Sequence, residues 1–257
     1  MTGRDIHVVN NSYIRRLSFR IVLRFIRAKL SDVADVTSGF EAVAELMLKG
    51  IDELKKIVVQ YHQGNIDLQD AHHYDFAILY SDQIDYFIFG LNPGETKEDR
   101  DRFPGNGHFN PYDPVKYPEN MQSRSAKRYI SFSEALCGSR NFLISELFFW
   151  SSTDLRQLAV RYGAPIEKSP HLPFCFEMNQ RLFKIFNPKA VIVLGLNIRR
   201  HVLKIKPNLE WVAGEKGVFE HYQDSQDNAR PWIFAKHPAA RVSTVKRKQI
   251  SEYLREL

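Results

Sequence analysis

Cysteine is scarce in this chain of 257 residues, which contains only Cys137 and Cys175. Their separation matches no metal-binding motif, and two cysteines are too few for a four-cysteine iron–sulfur cluster, so we expect no metal and no cofactor. Runs of about 18 or more apolar residues are also lacking, which excludes a transmembrane helix. These absences favour a reducing, cytoplasmic setting and no membrane partner.

Apolar residues are nonetheless abundant: 44% of the chain is hydrophobic and 12% is aromatic, enough for a sizeable core without disulfides. The net charge of +6 suits a nucleic-acid partner without establishing one. Acidic residues are almost absent from residues 1–31, where Asp5 stands among several arginines. We interpret 13–30 as a helix docked on the domain with a solvated basic face. A direct DNA contact is one alternative, and a mitochondrial transit peptide, which an Arg-rich and acid-poor N-terminus resembles, is a lesser one.

The most informative segment is residues 85–95, which read Asp-Tyr-Phe-Ile-Phe-Gly-Leu-Asn-Pro-Gly-Glu. A short apolar run bounded by charge predicts a buried parallel strand. It ends in a turn where glycine permits close approach of another molecule and Pro93 restricts Asn92 to an extended conformation. Open α/β sheets place their ligands beyond such strand ends, so Asn92 is a candidate site residue.

A second strand-end loop lies near the C-terminus. Residues 231–236 predict another strand, and His237 with Pro238 follows it directly. Histidine donates or accepts a proton near neutral pH. Two strand-end loops, one carrying Asn92 and the other His237, therefore predict a site assembled across neighbouring strands.

The alternation of strand and helix patterns predicts an α/β fold with a mostly parallel sheet and helices on both faces. We expect a helical N-terminal extension over 1–75, packed on a core domain over 76–257. The predicted elements are a helix over 39–62, an edge strand over 76–80, strands over 85–91, 141–149, 190–196, 217–222 and 231–236, helices near 176–186 and 197–204, and a C-terminal helix from Ser243. Residues 95–128 are predicted as a long functional loop, and 213–217 as a hairpin turn.

The two loops resemble the signature motifs of the uracil-DNA glycosylase superfamily, closest in motif to its mismatch-specific and single-strand-selective monofunctional members. Residues 90–94 are similar to their Gly-[Ile/Met]-Asn-Pro-Gly motif. Residues 237–241 are similar to their His-Pro-Ser-Pro-Arg segment, with Ala239 and Ala240 in place of Ser and Pro. The resemblance extends over residues 85–256 and implies a three-layer α/β/α fold around a central, mostly parallel four-stranded sheet.

The resemblance also implies a reaction, namely hydrolysis of the N-glycosidic bond of a flipped deaminated or damaged base, as in base excision repair. In that family the Asn positions the attacking water and the His hydrogen-bonds the departing base, which assigns catalytic roles to Asn92 and His237. Leu91 would lie at the base, and Phe103 or Phe109 would stack on it. Packing within the protein is the alternative for each phenylalanine.

Residues that follow the second motif would contact DNA. Arg241 and Val242 would fill the gap that the flipped nucleotide leaves, and Lys246 and Arg247 would contact phosphates. Arg241 could instead contact phosphate or cap the start of a helix. The expected partner is DNA, either single-stranded or duplex with an extrahelical base, bound by a monomer.

Glu146, on the strand predicted over 141–149, stands where the family has an Asn that reads the uracil edge. An Asn offers both a donor and an acceptor, whereas an ionised Glu only accepts and would repel a developing uracil anion. Glu146 would instead suit an amino-bearing base or a protonated group, or would be held protonated by burial. A general base and a partner for a buried arginine are further alternatives for this side chain.

Three functions therefore stay open. The first is a monofunctional DNA glycosylase-like hydrolase. The second is a nucleic-acid-binding protein with the same fold but no glycosylase activity, which Ala239, Ala240 and Glu146 favour. The third is a hydrolase or transferase that acts on free nucleosides or another small ligand in the same crevice.

Overall fold

The structure is a computed structural model whose described residues are 36–68, 71, 78–79, 81, 83–91, 124–152, 155–162, 166–227, 230–240 and 242–257. The helices are α1 (Val36–Gly64), α2 (Arg124–Cys137), α3 (Leu155–Arg161), α4 (Leu172–Phe186), α5 (Arg199–Ile205) and α6 (Thr244–Glu256). The strands are β1 (Ile78–Leu79), β2 (Tyr86–Gly90), β3 (Phe142–Glu146), β4 (Ala190–Leu194), β5 (Leu209–Glu215), β6 (Phe219–Asp224) and β7 (Arg230–Ala235). Short 3-10 turns cover Ile66–Leu68, Ile166–Lys168 and Pro238–Ala240.

The strands form one seven-stranded mixed sheet in the order β1-β3-β2-β4-β7-β6-β5, to which β1 contributes two residues. Its centre, β3-β2-β4-β7, is parallel. Strand β1 pairs antiparallel with β3, and β6 pairs antiparallel with both β7 and β5. The predicted α/β fold is confirmed. The predicted four-stranded sheet is wrong, because antiparallel strands extend the parallel centre on both sides.

Helices cover both faces of the parallel strands. Successive strand residues point to opposite faces, so alternate side chains of one strand pack against different helices. On one face, Ile88 and Ile192 belong to an apolar cluster that includes residues of α2 and α6. On the other face, Phe87 and Phe89 contact Phe183 of α4. This arrangement is compatible with a three-layer α/β/α fold. Strands β3 and β4 are buried along their whole length, as expected for parallel strands between two helical layers.

Most predicted elements occur with shifted ends, but α2, α3 and β5 are not among the predicted elements. The predicted loop 95–128 overlaps the start of α2. Strand β5 lies at the edge of the sheet, and because most of its residues are exposed it has no run of buried residues from which a strand could be predicted. A hairpin joins β5 and β6 as predicted, but its turn lies at 216–218 and not at 213–217, because residues 213–215 belong to β5; Gly217 in the turn has φ of +72°. The edge strand predicted over 76–80 is confirmed as the short strand β1.

From Ile51 onward, α1 is part of the hydrophobic core. Ile51, Leu54 and Val58 are buried, and Trp150 donates its indole N–H to His62 Nδ1 at 2.8 Å. The chain divides into two compact units, Met1–Leu48 and Lys49–Leu257. The boundary predicted between residues 75 and 76 therefore lies inside the second unit.

Charged and polar side chains tie together the amino-terminal ends of the parallel strands. The Asp85 carboxylate accepts from Asn141 Nδ2 at 3.2 Å and pairs with Lys189 Nζ at 2.8 Å, which joins the starts of β2, β3 and β4. Arg230, at the start of β7, donates to Asn187 Oδ1 at 2.9 Å. We call these five residues the amino-edge clasp. Their polar groups are paired with one another, so this edge of the sheet has a structural role.

Candidate functional site at the carboxyl edge of the parallel strands

The carboxyl ends of the parallel strands meet at the opposite edge of the sheet. Strands β2 and β4 are neighbours at the centre of the sheet. Strand β3 lies on the outer side of β2, and β7 lies on the outer side of β4, so the strand order reverses between β2 and β4. Ligands of open α/β sheets bind outside the strand ends at such a switch point. Both sequence motifs start here, because Gly90 ends β2 and His237 follows β7 closely.

Backbone hydrogen bonds fix the start of the first motif. The carbonyl oxygen of Gly90 accepts from the N–H of Leu147 at 3.0 Å, and that of Leu91 accepts from the N–H of Phe148 at 2.8 Å. The chain that leaves β3 therefore runs beside the chain that leaves β2. Leu91, a predicted base contact, lies partly exposed at this point. Asn92, Phe103, Phe109 and Arg241 lie outside the described residues.

Glu146 ends β3 directly beside Gly90, its register partner on β2. The side chain is 9% exposed, and its Oε2 atom is buried without a hydrogen-bond partner among the described residues. A Cβ atom at residue 90 would lie 2.8 Å from Cδ of Glu146 and closer still to Oε2. The carboxyl group thus occupies the space above the Gly90 Cα atom, which only glycine leaves open.

Burial raises the pKa of the Glu146 carboxyl from its ordinary 4.5 to about 8. Among the described residues, those shown beside it carry no positive charge: Gly90 of β2 lies against the carboxyl group, and the amide of Asn179 on α4 bonds the backbone of Glu146. At neutral pH the group is therefore mostly the neutral acid. A neutral carboxyl carries one O–H donor beside one carbonyl acceptor.

Asn179, which sequence reasoning missed, holds the end of β3 in place. This fully buried residue of α4 donates from Nδ2 to the carbonyl oxygens of Glu146 and Cys175, both at 3.0 Å. Its Oδ1 accepts from the hydroxyl of Ser145 at 2.7 Å. The one signal in the sequence is that Asn179 interrupts the apolar face of α4 that includes Met178 and Leu182.

Gly195 connects the ends of β4 and β7 and was also missed. Its N–H donates to the carbonyl oxygen of Ala235 at 2.8 Å. Its φ of +138° lies in the region that favours glycine, and an added Cβ would lie 2.9 Å from Asn197 Oδ1. The backbone that leads to His237 is thereby set against the end of β4.

His237 lies at the head of the 3-10 turn that follows β7, and its carbonyl oxygen accepts from the N–H of Ala240 at 2.9 Å. Its side chain is exposed, and its ring meets that of Tyr129 of α2 edge-on, with centroids 6.1 Å apart. Although the residue is exposed overall, partial removal of its ring from water lowers the pKa of the imidazole. The neutral ring therefore predominates at neutral pH, and one ring nitrogen carries an N–H that can donate.

Glu146 and His237 stand on the same edge but not in contact. Their strands, β3 and β7, are separated by β2 and β4, so three interstrand spacings of about 4.8 Å place the two strand ends about 14 Å apart. A nucleobase with its sugar fits within such a span. The two side chains can therefore address different parts of one ligand that lies over the ends of β2 and β4.

The predicted DNA-contacting residues that the structure describes lie after this turn. Val242 is only 8% exposed and belongs to the same apolar cluster as Ile250, so filling a gap in DNA would require it to leave the core. Ser243 caps α6, and its Oγ accepts from the N–H of Lys246 at 3.3 Å. Lys246 and Arg247 are partly exposed in the first turns of α6.

Within the part of the chain that the structure describes, no group of three or more His, Cys, Asp or Glu side chains is placed to hold a metal ion. Cys137 and Cys175 are both free and buried. None of the described helices is long and apolar enough to cross a membrane.

Comparison with models of known protein families and with curated proteins gives no match to this chain. The functional assignment therefore depends on the geometry of the carboxyl edge and on the two motifs that lead into it.

Proposed function

We propose that the protein is a DNA glycosylase-like hydrolase with a uracil-DNA glycosylase-like fold, acting as a cytoplasmic monomer on an extrahelical base. The observation that carries the proposal is the buried carboxyl of Glu146, which lies over Gly90 at the start of the first motif and on the same sheet edge as His237. The parallel centre of the sheet supports it, because one motif follows β2 and the other follows β7.

The reaction is the displacement of a base from the sugar by water. A water molecule, held by Asn92 as the resemblance implies, attacks the anomeric carbon and loses a proton to solvent. The N-glycosidic bond breaks, and its electron pair leaves with the base. The N–H of His237 donates to a carbonyl oxygen of the base and stabilises the negative charge that develops there.

The protonation state of Glu146 removes the main electrostatic objection to this reaction. A carboxylate beside the leaving base would oppose the developing anion, whereas a neutral acid does not. Burial keeps the carboxyl neutral at pH 7 because it raises the pKa to about 8. Glu146 is therefore compatible with departure of an anionic base.

DNA binding is supported by the residues beside the second motif. Lys246 and Arg247 lie at the start of α6, only a few residues after His237, and the whole chain carries a net charge of +6. Phosphate contacts of this kind fix the register of a protein on DNA without reading sequence. They would hold the strand while the target base enters the site.

The test is base release from labelled single-stranded and duplex oligonucleotides that carry uracil, hypoxanthine, xanthine or a mismatch. We expect release from at least one substrate, and loss of release in Asn92→Ala and His237→Ala with DNA binding retained. DNA binding without release from any substrate would favour the inactive, nucleic-acid-binding alternative. Absence of both would overturn the proposal and favour free nucleosides or another small ligand.

A further inference from the structure

Glu146 has an unusual position for a titratable group, since it is buried at the carboxyl edge of the parallel strands and none of the described residues shown beside it carries a positive charge. Its Oε2 has no hydrogen-bond partner among the described residues, and the backbone that carries it is fixed by Asn179 on one side and by Gly90 on the other. At the amino edge, by contrast, Asp85 is paired with both Asn141 and Lys189. An orphaned buried polar atom calls for a partner, because leaving it unpaired costs the free energy of removing it from water with no hydrogen bond in return.

We propose that Glu146 is a specificity-determining residue that reads, as a neutral acid, a ligand edge on which one donor stands beside one acceptor. The lactam edge of uracil or hypoxanthine, a ring N–H next to a carbonyl, is such an edge. The carboxyl O–H donates to the ligand carbonyl, and the carboxyl C=O accepts from the ring N–H. This inference rests on the proposed function and names the substrate class of the same site.

The alternative partner of a carboxyl group differs in its hydrogen-bond pattern. An ionised carboxylate presents two acceptors and pairs with two adjacent donors, such as a ring N–H beside an amino group. Burial disfavours that form, and among the described residues neither Gly90 nor the Asn179 amide beside Glu146 brings a positive charge to it. A base with two adjacent donors is therefore the wrong complement at neutral pH.

Geometry also assigns different parts of the ligand to the two site residues. With the ends of β3 and β7 about 14 Å apart, Glu146 addresses the base edge far from the one that His237 meets. The O–H of Glu146 then gains strength as its acceptor becomes more negative during bond cleavage. Glu146 thus contributes to recognition and stabilises the departing nucleobase through its O–H donor. It does not act as a proton acceptor in the reaction.

The test compares binding of free uracil to the wild-type protein, Glu146→Gln and Glu146→Ala by titration calorimetry at pH 6.5 and pH 9.0. For the wild type we expect a loss of about tenfold at pH 9.0, one unit above the carboxyl pKa of about 8. Glutamine keeps a donor beside an acceptor at every pH, so Glu146→Gln should exceed the wild type at pH 9.0. Glu146→Ala should bind at least tenfold more weakly than the wild type at pH 6.5.

Ionisation of the uracil N–H near pH 9 affects all three proteins alike, so the change seen in Glu146→Gln measures that contribution. Thermal unfolding at each pH confirms that the variants are folded. Absence of uracil binding by the wild type, a wild-type affinity that does not fall with pH beyond that of Glu146→Gln, or a loss of tenfold or more in Glu146→Gln at pH 6.5 would overturn the inference.

The two proposals can be refuted separately, because binding of the free base tests recognition by Glu146 and release of a base from DNA tests the glycosylase function. Uracil binding with the expected pH dependence but no release from any oligonucleotide would refute the proposed glycosylase function and leave the recognition by Glu146 standing. Base release that is the same in the wild type, Glu146→Gln and Glu146→Ala would support the glycosylase function and refute recognition by Glu146.

Discussion

The carboxyl group of Glu146 occupies the space that a side chain at residue 90 would fill. The two residues are register partners on β3 and β2, and a Cβ atom at residue 90 would lie 2.8 Å from Cδ of Glu146. The carboxyl group of Glu146 can therefore take its buried position only because the first motif opens with a glycine on the neighbouring strand. This contact links a loop read from local sequence with a residue that is far along the chain.

Substitution of Gly90 by alanine should destabilise the protein by about 1–3 kcal/mol, the usual cost of forcing extra atoms into a packed site. Glu146→Ala removes the obstructing carboxyl, so the double variant Gly90→Ala/Glu146→Ala should be more stable than the sum of the single effects predicts. Urea unfolding of the four proteins measures this coupling. Strict additivity would show that the two residues do not meet.

Glu146 should make the stability of the protein depend on pH. Its pKa is about 8 in the folded protein and near 4.5 when unfolded, so its contribution is fully present below pH 4.5 and is lost as pH rises through 8. Relative to Glu146→Gln, the wild type should lose about 1 kcal/mol per pH unit across this range. Guanidinium unfolding at pH 5, 6, 7 and 8 tests this, with exposed Glu210→Gln as control; parallel pH curves for wild type and Glu146→Gln would contradict it.

Asn179→Ala should cost about 2–4 kcal/mol, because it leaves the carbonyl oxygens of Glu146 and Cys175 without their buried donor. Ser145→Ala removes only the hydroxyl donor to Asn179 and should cost about 1 kcal/mol. Chemical unfolding gives both values. Equal losses in the two variants would mean that Asn179 does not secure the end of β3.

Lys246→Ala should reduce the salt dependence of DNA binding, lowering the slope of log K against log [salt] by about 1. Lys184 is the control, because it is an exposed lysine in the last turn of α4, and α4 leads to the amino edge of the sheet, away from the candidate site. Lys184→Ala should leave the slope as in the wild type. Fluorescence anisotropy over a range of salt concentrations distinguishes the two, and the same slope in both variants would remove Lys246 from the interface.

Val242→Ala should destabilise the protein by about 1–2 kcal/mol, since it removes buried methyl groups from the cluster that includes Ile250 and Leu254. Its DNA affinity at fixed salt should match that of the wild type once both are folded. A large loss of affinity without a loss of stability would instead place Val242 in DNA. Thermal unfolding and anisotropy together decide between these outcomes.

The strands that carry the two motifs were predictable because they are short apolar runs that end in glycine or proline turns. β2 and β7 are found with their ends close to those predicted, and the other predicted elements after β2 occur in the predicted order, with α3 and β5 as additional elements between them. Local pattern sufficed there because a buried parallel strand has a distinctive composition.

The immediate surroundings of Glu146 could not be predicted in the same way. Its contact with Gly90 depends on the register between two strands, and its support by Asn179 depends on how α4 packs on the sheet. Val242 shows the same limit: it follows the second motif, but α2, which the sequence pattern did not reveal, contributes to the cluster that buries it. Such long-range packing leaves no periodic signal in a single sequence.

The amino-edge clasp has a consequence for how this scaffold can change. Asp85, Asn141 and Lys189 hold the starts of three strands without using any residue of the carboxyl edge. Replacements in the loops of the carboxyl edge therefore leave those bonds intact, provided that Gly90, Glu146 and Asn179, which pack the strand ends themselves, are kept. Libraries that diversify the strand-end loops should thus yield many folded members, which makes this protein a suitable starting point for laboratory evolution of new base or ligand preferences.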